Sequence, residues 1–406
     1  VAVIRPFRAL RPAPEAAARV AAVPYDVVSA DEARTLADGN AISFLRVTRS
    51  EIDLPRDTDP YSPTVYAQAV TNLERIKREA PLMFEAEPSV YFYRLRMGGH
   101  EQIGVAAAYS LEEYDRDLIK KHERTRPDKE DDRTKHISEL HAQTGVVFLT
   151  YRASTEIDAI ARRVTFSSPL YDFTAPDGVT HTIWKLSGEQ ARSLVEAFGR
   201  IPALYIADGH HRAASAARAR ERVNGDAAQW FLAVAFPDNQ MQILPYNRVV
   251  KDLGGMTADA FLARLRERFT VTNGPAAPAA KGDVAMYLAG QWYTIALGRS
   301  TDRPLQSTEN DRIASLDVSR LQHDILDPLL GIKDVRTDKR IDFVGGARGT
   351  AELQRLVDSG AAAVAFSLYP VTVDDLMAIA DAGGIMPPKS TWFEPKLRDG
   401  LLINVI

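Results

Sequence analysis

The sequence predicts a mixed α/β fold (α+β), and three observations carry the prediction. The stretch Leu204-Tyr205-Ile206-Ala207-Asp208-Gly209-His210-His211-Arg212, followed by an Ala/Arg run, reads as a buried strand, a tight turn and the start of a helix. Two pairs of apolar runs read as β-hairpins: Ser89–Leu95 with Gln102–Ala108 around Gly98-Gly99, and Val284–Leu288 with Trp292–Leu297. Between such runs, apolar residues recur at helical spacing, as in Val65, Ala69, Leu73 and Ile76.

Taken in order, Ala22 to Ser29 is expected to form a turn and a short strand. Ser29 with Glu32 then makes a capping box that opens a helix. Asn40 to Val47 is expected to be a strand, and residues 53–63, rich in Asp, Pro and Ser, a loop before the helix from Ser62 to about Ala80. Lys120 to His136 is the most charged stretch, and Pro127 argues against one continuous helix through it. A polar loop followed by a helix from about Lys129 is therefore expected. The run reads either as a solvated helix face or as a polar loop beside a phosphate site. Strands are expected at Val146–Tyr151, Thr180–Trp184, Phe231–Phe236 and within Met241–Val250, with helices at Ile157–Val164 and from Ser187 through Phe198. Beyond 250 come helices at Thr257–Phe269, Ser315 to about Leu326, Thr350–Ser359 and Val373–Ala382, and strands at Ile341–Val344 and Ala362–Leu368. A soft domain boundary is expected near 250, before an Ala/Pro/Gly-rich linker at 274–282.

Composition narrows the function classes. The apolar fraction of 45% is ample for sizeable cores over 406 residues. A net charge of -4 gives no global basic field, so nucleic acid is not an expected partner. The absence of cysteine removes disulfides, thiolate chemistry and Cys-ligated metal centres. The start, Val1 to Phe7, lacks a signal-peptide apolar run, and no stretch reaches the ~18 apolar residues of a membrane span. A cytoplasmic protein with no membrane partner is the expectation.

The chemistry is expected to centre on the turn at Asp208. Gly209 allows a positive φ or close approach to a ligand. A turn into a helix points free N–H groups and the positive end of the helix dipole outward, which suits an anion such as phosphate. His210, His211 and Arg212 add side-chain donors there, and Asp208 reads either as a helix cap or as a carboxylate that holds a metal. Other signatures fail. There is no G-x-G-x-x-G, no H-E-x-x-H and no G-x-S-x-G. Gly383 to Ser390 has P-loop spacing, but Pro388 stands where the glycine before the lysine is required, so no Walker A loop forms. Lys389, Ser390 and Thr391 read either as donors for a phosphoester or carboxylate or as a plain loop.

Ala207-Asp208-Gly209-His210-His211-Arg212 resembles the signature of free L-serine kinases, of the ParB/sulfiredoxin-like superfamily. The helix Val373–Ala382 followed by Pro388-Lys389-Ser390-Thr391 is similar to their C-terminal tail, and His122-Glu123 resembles the pair that carries their catalytic glutamate. With Pro24-Tyr25-Asp26, the His122–Arg133 stretch and Asp208–Arg212, the whole chain also resembles a broad bacterial family long labelled as of unknown function.

The resemblance implies a ParB/sulfiredoxin-like nucleotide-binding core in 110–250, between an N-terminal region 1–109 and a C-terminal domain 251–406 that supplies a substrate loop, and transfer of a phosphoryl group from ATP or ADP to the hydroxyl of free L-serine, with Mg²⁺. It implies Glu123 as the base, with Asp26 or Asp132 next in line, and places Asp208, as metal ligand, and His210 at the reaction centre. Gly209, His211, Arg212, Arg124, Thr125, Lys129 and Arg133 are the implied phosphate contacts, and Lys389, Ser390 and Thr391 the implied substrate contacts. Alternatives are a ParB-like nucleotide-hydrolysing switch, a chain that only binds, and a kinase for another small hydroxyl compound.

Overall fold

The structure, a computed structural model, describes residues 2–298 and 309–406, with side chains resumed from 312. The fold is mixed α and β, as expected. The chain forms two compact units, one of residues 1–241 and 395–406, the other of Gln242–Glu394.

The first unit is built on one large sheet. Its strands run in the order Ile119–Lys120, Leu204–Asp208, Val147–Tyr151, Trp230–Pro237, His100–Ser110, Val90–Met97, Thr180–Leu186 and Tyr171–Thr174. Ile4–Arg5 pairs with His100–Ser110 away from this path. The hairpin Val90–Met97 and His100–Ser110 turns at Gly98-Gly99 as the sequence predicts. Central strands are apolar along their whole length: Val147–Tyr151 is buried at every residue, as befits a strand covered on both faces. Helices Thr155–Val164, Gly188–Phe198 and His210–Ala219 bring Ile157, Ile160, Leu194, Phe198, Ala213 and Ala216 to one core with Leu149, Tyr151 and Phe231. The regions expected as 1–109 and 110–250 contribute neighbouring strands to this one sheet, and the chain returns to the unit at Pro395.

Two N-terminal expectations are corrected. Ala22–Ser29 holds no strand; Tyr25–Val27 is a 3₁₀ turn after Pro24. Asn40–Val47 is not a strand either, and its end forms the short helix Leu45–Thr48. The physical reason is side-chain to backbone bonding. Arg46 Nε donates to the Asn40 carbonyl at 3.0 Å and its Nη2 to the Ala37 carbonyl at 3.0 Å, which curls the segment. Ile42, Phe44, Leu45 and Val47 are buried together, so the apolar run enters the core, but from a curled segment and not from a strand. The Ser29–Glu32 capping box is present, with both reciprocal bonds. The expected polar loop and helix are present, and the helix, Pro127–Leu140, opens at Pro127 itself, where the missing N–H costs nothing.

The second unit has a six-stranded sheet ordered Thr270–Asn273, Gln291–Ala296, Asp283–Leu288, Val364–Leu368, Tyr246–Val250 and Ile341–Gly345, all neighbours antiparallel. Phe261, Leu265, Met286, Leu321, Phe366 and Ile379 fill one side of it. No helix among the described residues is long and apolar enough to cross a membrane.

Candidate functional site

The turn after strand Leu204–Asp208 takes the predicted form. Gly209 has φ +92°, and helix His210–Ala219 starts directly after it. A Cβ at Gly209 would also meet the Arg212 guanidinium at 3.2 Å, so both backbone and packing require glycine. Ile119–Lys120 lies beside this strand in parallel, with Leu204 opposite Ile119. Both chains therefore leave the sheet at the same end. One delivers His122-Glu123 and the other Asp208 to Arg212, although the two segments are far apart in sequence.

His210 and His122 form the floor. Their rings stand edge to face at 4.4 Å, and the His122 backbone N–H donates to His210 Nε2 at 3.4 Å. That assigns the proton of neutral His210 to Nδ1, which lies 3.9 Å from Glu123 Oε2. Burial holds the His210 imidazole well below its usual pKa, and His122 adds to the effect. Burial likewise pushes His122 down to about 4, against the pull of Asp208. The Glu123 side chain is half exposed, so its carboxylate meets solvent at the edge of a dry imidazole pair. His211 Nε2 accepts the Arg126 backbone N–H at 3.0 Å and so anchors the loop before Pro127.

Asp208 is bound by cations. Its Oδ2 accepts from Lys396 Nζ at 3.0 Å and lies 3.8 Å from Arg212 Nη2. Burial raises its pKa, but Lys396 and Arg212 outweigh burial and hold the carboxyl well below the usual range. Arg212 is itself 6% exposed and committed inward. It donates to the Val146 carbonyl and, through Nη2, to both Asp26 oxygens at 3.3 and 3.4 Å. Gly145 lets the Arg212 side chain pass, since a Cβ there would meet its Cδ at 3.0 Å. The Val146 N–H donates to Asp399 Oδ1 at 3.3 Å, while Oδ2 of this buried acid has no partner among the described residues. Burial raises the Asp399 pKa to about 7, with Arg212 opposing.

The Pro24-Tyr25-Asp26 segment serves the same cluster. Asp26 takes Arg212, and the Tyr25 ring lies under the Arg133 guanidinium at 4.4 Å. Arg133 also pairs with Asp132 at 2.8 Å, and Asp132 accepts from Tyr66 Oη at 2.9 Å. Lys129 Nζ contacts Tyr61 Oη at 2.8 Å, Thr125 Oγ1 donates to Glu130, and Arg124 is exposed. The structure thus gathers Glu123, Asp208, Gly209, His210, His211 and Arg212 around one turn. Arg133 and Lys129 are engaged with Asp132 and Tyr61.

Lys389, Ser390 and Thr391 belong to the second unit. Lys389 adopts φ +56° with Nζ 5.6 Å from the Tyr246 ring centroid, and the Ser390 hydroxyl donates to the Pro387 carbonyl. Buried Arg248 donates to the Pro388 carbonyl at 3.2 Å.

Sequence reasoning missed Lys396 and Asp399. A signal was present: Pro-Lys occurs twice, as Pro388-Lys389 and Pro395-Lys396, and the second lysine is the one that meets Asp208. A divalent ion fits poorly here. Among the described residues no group of three or more potential ligands forms, and the carboxylate expected to hold Mg²⁺ already faces an ammonium and a guanidinium.

Several solved structures are similar in part. A conserved hypothetical protein from Pyrococcus furiosus is 15% identical, covering 74% of this chain and 95% of that chain, at a TM-score of 0.35. A free serine kinase in complex with AMP is 13% identical, covering 74% of this chain and 91% of that chain, at 0.35. SbnI with a C-terminal truncation, from Staphylococcus aureus, is 11% identical, covering 74% and 87%, at 0.38. No curated protein matches. The family model described as "Protein of unknown function (DUF1015)" matches residues 4–319, most of the chain, and the chain belongs to that family.

Proposed function

We propose that this chain is a phosphotransferase that moves a terminal phosphoryl group from ATP or ADP to a small hydroxyl compound, with free L-serine the acceptor to test first. The observation that carries the reading is the meeting of a half-exposed carboxylate, Glu123, with the N-terminus of the helix that follows Asp208-Gly209, across 3.9 Å from buried, neutral His210. Phosphoryl transfer asks a protein for positioning and charge more than for covalent chemistry. The helix N-terminus offers N–H groups to a phosphate. The acceptor oxygen attacks the terminal phosphorus, the bond from that phosphorus to the nucleotide's bridging oxygen breaks, and the hydroxyl proton passes to Glu123.

Buried His210, its proton on Nδ1, orients Glu123 without competing for the proton. Arg212 is assigned a role inside the cluster, holding Asp208 and Asp26, because its Nη donors are given to the Val146 carbonyl and to Asp26. The Mg²⁺ implied by the sequence resemblance is left to the nucleotide's own phosphates, and no step is derived through it.

The test is direct detection of the phosphorylated product when purified protein is supplied with L-serine and either ATP or ADP. O-phosphoserine formed with one donor, and lost in Asp208→Ala, supports the reading and identifies the donor. Saturable nucleotide binding with no product from a panel of small hydroxyl compounds overturns it in favour of a nucleotide-binding switch.

A further inference from the structure

We propose that Lys396, and not a divalent cation held at Asp208, is the positive charge with which this site meets a nucleotide's phosphates. The inference deepens the functional reading above and rests on it.

The segment Pro395–Ile406 returns to the first unit and runs against residues near its beginning. Ala22 and Asp399 exchange backbone bonds, and so do Leu10 and Ile403. It carries three charged residues inward. Lys396 meets Asp208, Arg398 meets Asp177, and Asp399 accepts from Val146. Of these, Lys396 is the one at the candidate turn. Its side chain is 12% exposed and that of Asp208 29%, so the ion pair is sheltered yet reachable.

The two cations on Asp208 differ in what they can offer a ligand. Arg212 lies deeper, its Nη atoms given to the Val146 carbonyl and to Asp26. An ammonium is a compact charge with three N–H bonds on a rotatable stem, so it can hold a carboxylate and a phosphate oxygen together. Asp208 then acts as a positioning residue: it lowers the cost of keeping a lysine sheltered at the helix N-terminus. The same pairing explains why a metal is poorly served there. A divalent ion at Asp208 would sit within a few ångström of two positive groups, and among the described residues no group of three or more potential ligands forms to hold it.

The experiment is calorimetric titration of ADP and of ATP into the full chain, in EDTA and again with Mg²⁺. The wild type is expected to bind in EDTA. Lys396→Met is expected to weaken that binding about 10- to 100-fold, the range for a hydrogen bond to a charged group, with Lys396→Arg recovering most of it. Because Lys396→Met takes from Asp208 its nearer cation and leaves only Arg212 at 3.8 Å, a double variant, Asp208→Asn with Lys396→Met, removes both charges. It is expected to melt close to the wild type and still bind weakly. Wild-type binding that appears only with Mg²⁺, or wild-type affinity in the double variant, overturns the proposal and leaves the kinase reading standing. No nucleotide binding in any condition overturns both.

Discussion

Asp208 Oδ2 and Lys396 Nζ stand 3.0 Å apart, though 188 positions separate them in the chain. The pair joins the turn that opens a helix to the segment with which the chain returns to its first unit. Around it, charge is arranged in layers: Arg212 lies beneath Asp208, Asp26 beside Arg212, and two neutral imidazoles complete the floor. Every charged member named here has an oppositely charged neighbour, which is the condition for keeping such groups out of water.

Glu123→Gln removes a proton acceptor and keeps its shape. Turnover with the productive donor and acceptor should fall by about 10²- to 10⁴-fold, the usual contribution of a positioned base. Nucleotide affinity from the same titrations should stay within a few-fold. Equal loss of both would make Glu123 a binding group and move the base to Asp26 or Asp132.

Gly209→Ala forces a side chain into φ +92° and against the Arg212 guanidinium. Urea denaturation should show a loss of about 1–3 kcal/mol, the cost of a strained backbone at such a site. An unchanged midpoint would mean that the turn relaxes freely and that Arg212 is not held as described.

Arg212→Met strands Asp26 and Asp208, each now short of a cation, and releases the Val146 carbonyl. Asp26 is exposed and Asp208 keeps Lys396, so the loss is set mainly by the buried Val146 carbonyl left without its donor, about 1–3 kcal/mol. Adding Asp26→Asn should restore part of that loss. A double variant no more stable than the single would show that Asp26 and Arg212 do not interact in solution.

His136 is buried, with Nε2 2.9 Å from the Val47 carbonyl, and burial pushes its pKa down to about 3. The unfolded chain, with the ordinary value of 6.5, binds the proton first as pH falls. Its contribution to stability is therefore complete above pH 6.5 and drains away between 6.5 and about 3. Relative to His136→Gln, the wild-type advantage measured by denaturation should shrink as pH falls, with a limiting slope of about 1.4 kcal/mol per pH unit. A constant difference across that window would contradict the burial of a neutral imidazole.

Local pattern made much of the fold legible. The helix Pro63–Glu79, the hairpin at Gly98-Gly99, the strand Val147–Tyr151 and the helix capped by Thr372 all follow from residues within a few positions of one another. The strand, the positive φ at Gly209 and the helix start were legible for the same reason. The misread segments, Ala22–Ser29 and Asn40–Val47, are short apolar runs whose period cannot separate helix from strand; there, bonds such as Arg46 to the Asn40 carbonyl decided the outcome.

By itself, then, the sequence determined most of the elements and the glycine turn at Asp208. Tertiary structure alone decided which charges share that turn. Leu204 pairs with Ile119, which carries Glu123 to His210, and the chain returns at Pro395, which carries Lys396 to Asp208. The physical reason is range. Periodicity and capping act across a few residues, whereas an ion pair between positions 208 and 396 depends on the sheet that brings them within reach.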